Sequence, residues 1–190
     1  MTTDNEYYHF DPVLLEIHDF EVDGFVLDIG GGGEGVIGRL KGQEVVAIDI
    51  RADELEEAIA GPLKIVMDAR DLKFLDNSFG GATAFFSLMY MPKRADHQQV
   101  LAEAFRVLKP GGRLQVWEID LSERPKTDKE FFVVFLRYRL GDDEIGTGYG
   151  ARWPTEPRGL EYYISLAEEA GFRYLDCERN AHIFRLRFEK

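Results

Sequence analysis

A chain of 190 residues with 45% hydrophobic and 13% aromatic side chains holds enough apolar material for one core and should bury roughly 70% of its unfolded surface. Its net charge is −12, all of it in residues 1–80, where 18 acidic side chains face 6 basic ones, against 17 of each in residues 81–190; such a balance repels a phosphate backbone and disfavours a nucleic-acid partner. The longest nearly apolar run, Ala82 to Met91, is too short to cross a bilayer, MTTDNEYYHF lacks the build of a signal peptide, and a lone Cys177 makes neither an internal disulfide nor a thiolate metal cage, so the expectation is a cytoplasmic protein with no membrane or metal partner.

In chain order, Phe25 to Ile29 (FVLDI) is the first clear strand, a short apolar run ending in glycines. A helix follows from Glu34 to about Leu40, then a second strand over Glu44 to Asp49 (EVVAID). A short acidic helix over Ala52 to Ala60 stops at Gly61-Pro62. Lys64 to Met67 and Gly81 to Ser87 read as the third and fourth strands. Lys93 to Leu108 is a helix with the stripe Val100, Leu101, Ala104, Phe105 and Leu108, ended by Lys109-Pro110-Gly111-Gly112. Arg113 to Ile119 is the fifth strand, and strands alternating with helices imply a parallel sheet covered on both faces. Leu121 to Arg158 is an insertion read as a β-hairpin, Phe131 to Leu140 returning near Ile145 to Arg152, with a helix over Phe131 to Tyr138 as the competing reading. A helix with the stripe Leu160, Tyr163, Ile164, Ala167 and Ala170 precedes Phe172 to Glu178 and His182 to Phe188. The short turn Arg179-Asn180-Ala181 between those last two strands permits only antiparallel pairing. The expected fold is a single α/β domain over residues 1–190: a Rossmann-like, doubly wound, seven-stranded sheet, mostly parallel with one antiparallel strand, plus the inserted hairpin.

Asp28-Ile29-Gly30-Gly31-Gly32-Gly33-Glu34-Gly35 follows a strand and opens a helix, where glycines let a ligand approach the main chain closely. Gly30, Gly32 and Gly35 satisfy G-x-G-x-x-G, a pattern that suits dinucleotides and other nucleoside cofactors alike. Asp49 closes the second strand, where an acid can accept both hydroxyl protons of a ribose. Asp28 argues against a pyrophosphate at the loop, since a carboxylate there suits a cationic group better. Asp68-Ala69 follows the third strand, where an acid and the next N–H can meet an adenine edge, and a Lys-Pro-Gly-Gly loop joins the long helix to the fifth strand.

With these residues in order, Gly24 to Asp120 resembles the class I S-adenosylmethionine-dependent methyltransferases of the small-molecule, ubiquinone-biosynthesis type. VLDIGGGGEG looks like their glycine-rich first motif, VVAIDI like the acidic second, MDARDLKFLDNSFGGATAFFSLMYM like the region through the fourth strand, and VLKPGGRL like the loop before the fifth. The resemblance implies S-adenosylmethionine as cofactor and S-adenosylhomocysteine as product. It sets Gly30, Gly31 and Gly32 against the methionine and ribose part, Asp28 near the ammonium and Asp49 on the ribose hydroxyls. Ile50 would pack on the adenine, Asp68 and Ala69 would meet its edge, and Phe86 and Ser87 would border the methionine. Glu34 stands where many members have a third glycine.

Methyl transfer needs an aligned acceptor and a dry site more than a fixed catalytic set, so no catalytic residue is assigned from sequence. The Asn/Asp-Pro-Pro-Tyr motif of amino-group nucleic-acid methyltransferases is absent after the fourth strand, where the chain reads Phe86-Ser87-Leu88-Met89-Tyr90-Met91-Pro92. Met89 and Tyr90 are candidates for the acceptor pocket, with core packing as the alternative. His97 is expected on the exposed side of its helix, His18 in a short helix, and His182 as a satisfied core histidine. His9 with Tyr7, Tyr8 and Phe10 is a candidate lid, and Cys177 a small buried strand residue. The 121–158 insertion is the expected source of acceptor specificity through Tyr149, Arg152 and Trp153, a hairpin that only extends the sheet or forms a homodimer contact being the competing reading. A small-molecule methyltransferase leads; a cofactor-binding regulatory module without catalysis and an NAD-dependent oxidoreductase are the alternatives.

Overall fold

The computed structural model describes residues 6–141 and 143–190. The chain opens with β1 (Tyr7–His9) and β2 (Val13–Glu16), followed by β3 (Val26–Ile29), α1 (Val36–Lys41), β4 (Val45–Asp49), α2 (Ala52–Glu57), β5 (Leu63–Val66) and β6 (Phe79–Phe85). It continues through α3 (Arg94–Val107), β7 (Leu108–Ile119), β8 (Phe131–Leu140), β9 (Asp143–Arg152), α4 (Leu160–Glu169), β10 (Arg173–Asn180) and β11 (Ile183–Glu189).

Seven strands make the main sheet in the order β10-β11-β7-β6-β3-β4-β5. Only β11 runs against its neighbours; every other pairing is parallel. Successive residues on the central strands serve opposite faces, as a two-residue period requires. Leu27, Ile29, Val46 and Ile48 pack with α3 and α4 on one side, and Val26, Val45 and Ala47 pack with α1 and α2 on the other. Leu27 and Ile48 are wholly buried, and full burial of such a side chain contributes roughly 1.5–3 kcal/mol.

A second, four-stranded sheet covers the rest of the α1–α2 face. β8 pairs antiparallel with β9 from Phe131↔Arg152 to Leu140↔Asp143. Its other edge takes β1, with Tyr7 opposite Phe131, and then β2, with Val13 opposite Leu136, both in parallel. Phe132, Val134, Leu136 and Tyr138 alternate inward from β8 and meet Val13, Leu15, Phe85, Trp117 and Ile183. Residues Phe131 to Tyr138 are therefore strand and not helix, because alternate side chains have a sheet to bury against. Among the described residues no helix is long and apolar enough to cross a membrane.

Several expectations are corrected. His18 lies in irregular backbone after β2, because this segment spends its hydrogen-bonding capacity on β8, with Ile17 N–H donating to the Arg139 carbonyl at 3.0 Å. Lys109-Pro110-Gly111-Gly112 is a bulge inside β7: Phe79 faces Leu108 and Gly81 faces Arg113, so four residues of β7 stand against one of β6. The last turn is Ala181-His182, with Asn180 paired to Ile183 and Ala181 at φ 53°. His182 is thus a half-buried turn residue, packed on Phe10 at 4.7 Å, whose Nε2 finds no hydrogen-bond partner among the described residues. Cys177 is only partly buried.

His97 is fully buried. It precedes Val100 by three residues and Leu101 by four, which puts it on the apolar stripe of α3, where Tyr162 and Tyr163 of α4 cover it. Its Nε2 meets the Leu88 carbonyl at 2.8 Å and its Nδ1 the Tyr162 hydroxyl at 2.7 Å. A carbonyl only accepts, so the proton sits on Nε2 and Tyr162 donates to Nδ1. Burial pulls the imidazole down to about 4.

Candidate active site

The strand order reverses between β3 and β6, and a cleft of about 620 Å³ opens there beyond the carboxyl ends of β3, β4, β5 and β6. Its floor is the glycine loop. The Gly30 and Gly31 N–H groups both donate to the Ile48 carbonyl, at 2.9 and 3.0 Å, folding the loop back over β4. Gly30 has φ +71°, and a Cβ there would stand 2.4 Å from Ser87 Cβ. Gly32 is pressed between α2 and Asp49: its Cβ would meet Glu54 Cβ at 2.6 Å and Asp49 Oδ2 at 3.0 Å. Glycine here is what brings an acid and a main chain this close together.

All ten residues expected at the cofactor line this cleft: Asp28, Gly30, Gly31 and Gly32 from β3 and its loop, Asp49 and Ile50 after β4, Asp68 and Ala69 after β5, and Phe86 and Ser87 after β6. Asp49 Oδ1 accepts from the Arg51 N–H at 2.9 Å, which leaves Oδ2 turned to Gly32. Ile50 is 65% exposed, an apolar surface offered to a ligand. Asp68 is held by Arg70 at 2.7 Å, which lowers its carboxyl, and Arg70 also reaches Asp96 at 3.0 Å. Ser87 Oγ donates to the Ile29 carbonyl at 2.6 Å, tying the end of β6 to the glycine loop. Phe86 is fully buried in a left-handed conformation, φ 51°, and stacks on Tyr149 at 5.1 Å.

Asp28 sits beneath the loop on the α1–α2 face, 3% exposed, with Thr83 Oγ1 donating to it at 2.7 Å. Burial raises its carboxyl to about 7, the Thr83 hydrogen bond opposes this, and the charge of Asp49 adds to it.

The acceptor-side candidates separate. Tyr90 and Tyr149 line the cleft, together with Gly148 of β9. Met89 is buried and holds the wall from behind. Arg152 turns outward to Glu130 at 3.0 Å, and Trp153 is packed against Tyr8, Phe10 and Phe132, so neither reaches the cleft. Tyr7, Tyr8, His9 and Phe10 are no lid either: they flank β8, packed on Phe131, Trp153, Phe135 and His182.

Three buried side chains fix the wall Leu88 to Pro92, and two of them, Glu118 and Arg158, are not singled out from the sequence. Glu118 accepts from the Met89 N–H at 3.0 Å, and burial raises its carboxyl to about 8. Arg158 donates to the Met91 and Pro92 carbonyls at 2.7 and 2.6 Å. His97 donates to Leu88. The sequence signals for this network are an acid inside the apolar run Val116-Trp117-Glu118-Ile119 and the spacing of His97 to Val100 and Leu101. Glu34 stands out in the sequence only as a departure from pattern. It reaches β9, where its carboxylate accepts from Thr147 Oγ1 and from the Tyr149 hydroxyl, the latter at 3.2 Å.

A glycine loop after the first strand of a parallel sheet, an acid closing the second, and a cleft at the switch point define a Rossmann-like nucleoside-cofactor site. The comparisons fit such a site: residues 27–116 match the family model described as a methyltransferase domain. The chain is 38% identical over 136 residues to the methyltransferase GfsG of Streptomyces halstedii, covering 70% of this chain and 41% of that protein. It is 41% identical over 115 residues to a demethylmenaquinone methyltransferase of Listeria monocytogenes, covering 57% of this chain and 47% of that protein. The chain thus spans less than half the length of these curated relatives. A solved S-adenosylmethionine-dependent methyltransferase from Methanosarcina mazei shares the fold, with a TM-score of 0.65 at 20% identity over 90% of this chain and 94% of that one. The residues present fit the cofactor: the glycine cradle leaves no room for side chains, Asp49 Oδ2 faces it, and the cleft volume lies in the range of small-molecule sites.

Proposed function

We propose that this protein transfers a methyl group from S-adenosylmethionine to a small molecule. The observation that carries this is the convergence of all ten motif residues on one cleft, from four separate strand ends. When bound, the cofactor supplies a methyl group already activated on its sulfonium. The chain's own residues bind, orient and dry the site. Asp49 holds the ribose hydroxyls, Ile50 covers one face of the adenine, and Asp68 and Ala69 meet its edge. Asp28 ionises beside the ammonium, Gly30 to Gly32 admit the chain of the cofactor, and Phe86 and Ser87 bound the methionine part. Phe85, Phe86, Tyr90 and Tyr149 put aromatic surface around the reacting region and exclude water.

The names of the curated relatives support a small-molecule acceptor, and the acidic first half supports one other than nucleic acid. The 121–158 insertion serves the acceptor side in this reading, because Gly148 and Tyr149 face the cleft. Calorimetric titration with S-adenosylhomocysteine tests the proposal. Micromolar binding is expected, and no heat at high micromolar ligand would refute it.

A further inference from the structure

Beyond the motif residues, the cleft holds two carboxylates, Glu34 and Glu54, the second paired with Arg51 at 3.4 Å, and two phenols, Tyr90 and Tyr149. Glu34 lines the cleft, and each of its carboxylate oxygens takes one hydrogen bond from β9, from Thr147 and from Tyr149. Each oxygen keeps a lone pair, and so does the Tyr149 hydroxyl once it has donated to Glu34. These atoms can only receive a hydrogen bond from a ligand while Tyr149 keeps its proton. It does keep it, since burial and the Glu34 charge raise the phenol well above its usual value. The cleft has two cations, Arg51 and Arg70, and both are spent elsewhere: Arg51 on Asp53 and on Glu54 at 3.4 Å, Arg70 on Asp68 and Asp96. Both belong to the loops after β4 and β5, the ribose and adenine end. Tyr149, bonded to Glu34, packs on Phe85 and Phe86, and all three rings line the cleft with Tyr90.

Resting on the methyltransferase reading, we propose that Glu34 is the proton acceptor for the methyl acceptor, which is an uncharged or cationic molecule attacking through an N–H or O–H group and carrying no acid group of its own. A carboxylate beside aromatic faces attracts an amine or a phenol and repels a carboxylate or phosphate. An acceptor bound as an ammonium first gives a proton to the Glu34 carboxylate, which frees its lone pair; the lone pair of the acceptor then forms the new bond to the methyl carbon, and the pair of the broken carbon–sulfur bond stays on sulfur. The proton displaced from nitrogen or oxygen passes to the Glu34 carboxylate and from there to solvent. The Thr147 and Tyr149 hydroxyls hold that carboxylate toward the cleft and join the hairpin to the glycine loop.

The probes are phenethylamine, 4-ethylphenol and 3-phenylpropionate, titrated into protein saturated with S-adenosylhomocysteine and then assayed as acceptors with S-adenosylmethionine. Phenethylamine or 4-ethylphenol should bind at least tenfold more tightly than 3-phenylpropionate, and which of the two does so separates an amine from a hydroxyl acceptor. Glu34→Gln should erase the preference to within threefold and lower kcat/KM at least tenfold, with S-adenosylhomocysteine affinity unchanged within threefold; Glu34→Asp should recover part of the loss. Equal or tighter binding of 3-phenylpropionate, a preference that survives in Glu34→Gln, or no binding of any probe at millimolar concentration would overturn the assignment. Failure of S-adenosylhomocysteine itself to bind would overturn the methyltransferase reading instead.

Discussion

Replacing Asp28 by asparagine should make the ligand-free protein more stable at pH 8 while weakening its hold on the cofactor. The carboxyl's value is raised from 3.8 to about 7 in the folded chain, chiefly by burial. The folded state therefore keeps a proton that the unfolded chain releases near 3.8, so stability is lost as pH rises from about 4 to about 7 and stays lost above. A rise of that size amounts to roughly 4 kcal/mol, at about 1.4 kcal/mol per pH unit. Asparagine has no charge to desolvate and its carbonyl still accepts from Thr83. Its NH₂ takes the place of Oδ2 beside Gly31, and a buried donor left unmet there would cost roughly 1–3 kcal/mol of the gain. Urea unfolding at pH 5, 6, 7 and 8 should show the difference between Asp28→Asn and the parent protein widening with pH in favour of the variant, then levelling. A difference that stays flat across that range would refute the burial argument. In parallel, S-adenosylhomocysteine should bind the variant at least tenfold more weakly, because the partner proposed for its ammonium is gone.

Ionisation of Asp28 on binding also predicts that the parent protein's S-adenosylhomocysteine affinity rises between pH 6 and 8 with net proton release, measured by calorimetry in buffers of different ionisation heat. Asp49→Ala removes the acceptor proposed for both ribose hydroxyls and should weaken binding tenfold to a hundredfold, at roughly 1.5–3 kcal/mol for a charge-assisted bond; an unchanged titration would refute that role. Gly30→Ala combines a left-handed backbone with overlap on Ser87 and should cost roughly 2–4 kcal/mol, read as a drop in Tm. His97→Ala loses two hydrogen bonds and leaves a cavity, roughly 3 kcal/mol in all. Because burial depresses this imidazole to about 4, the parent loses stability as pH falls from about 6.5 to 4, and urea titrations of the variant should show that slope flattened.

The parts of the fold legible in the sequence are those whose partners are nearby or whose backbone demands are severe. FVLDI followed by four glycines leaves little choice but a buried strand and a tight loop, and Asp49 and Asp68 then fall at the ends of neighbouring strands. β1 and β2 are not visible in it, since three and four residues carry little periodicity and their partner lies more than 120 positions away in β8. The polarity of His97 suggests an exposed place, although its spacing to Val100 and Leu101 already puts it on the stripe; position outweighs polarity. The chemistry of Arg152 and Trp153 suits a pocket, but the alternation along β9 and the turn after it send Tyr149 inward and leave these two outside. The network of Glu118, Arg158 and His97 draws on three distant elements, and only tertiary contact brings it together.

The parallel pairing of β1 and β2 with β8 bears on how the chain is made. While the ribosome extends it, Val13, Leu15 and Ile17 have no strand partner until Arg139 has emerged, although β3 to β6 can already assemble behind them. The cofactor half can thus take shape on the nascent chain well before the acceptor half, and an apolar stretch near the amino terminus stays exposed in the interval. Such non-local pairing slows folding and offers a surface for chaperones or misassociation. Substitutions that weaken β2 or β8 should therefore show first as lower soluble yield, before any change in the binding of S-adenosylhomocysteine by the protein that does fold.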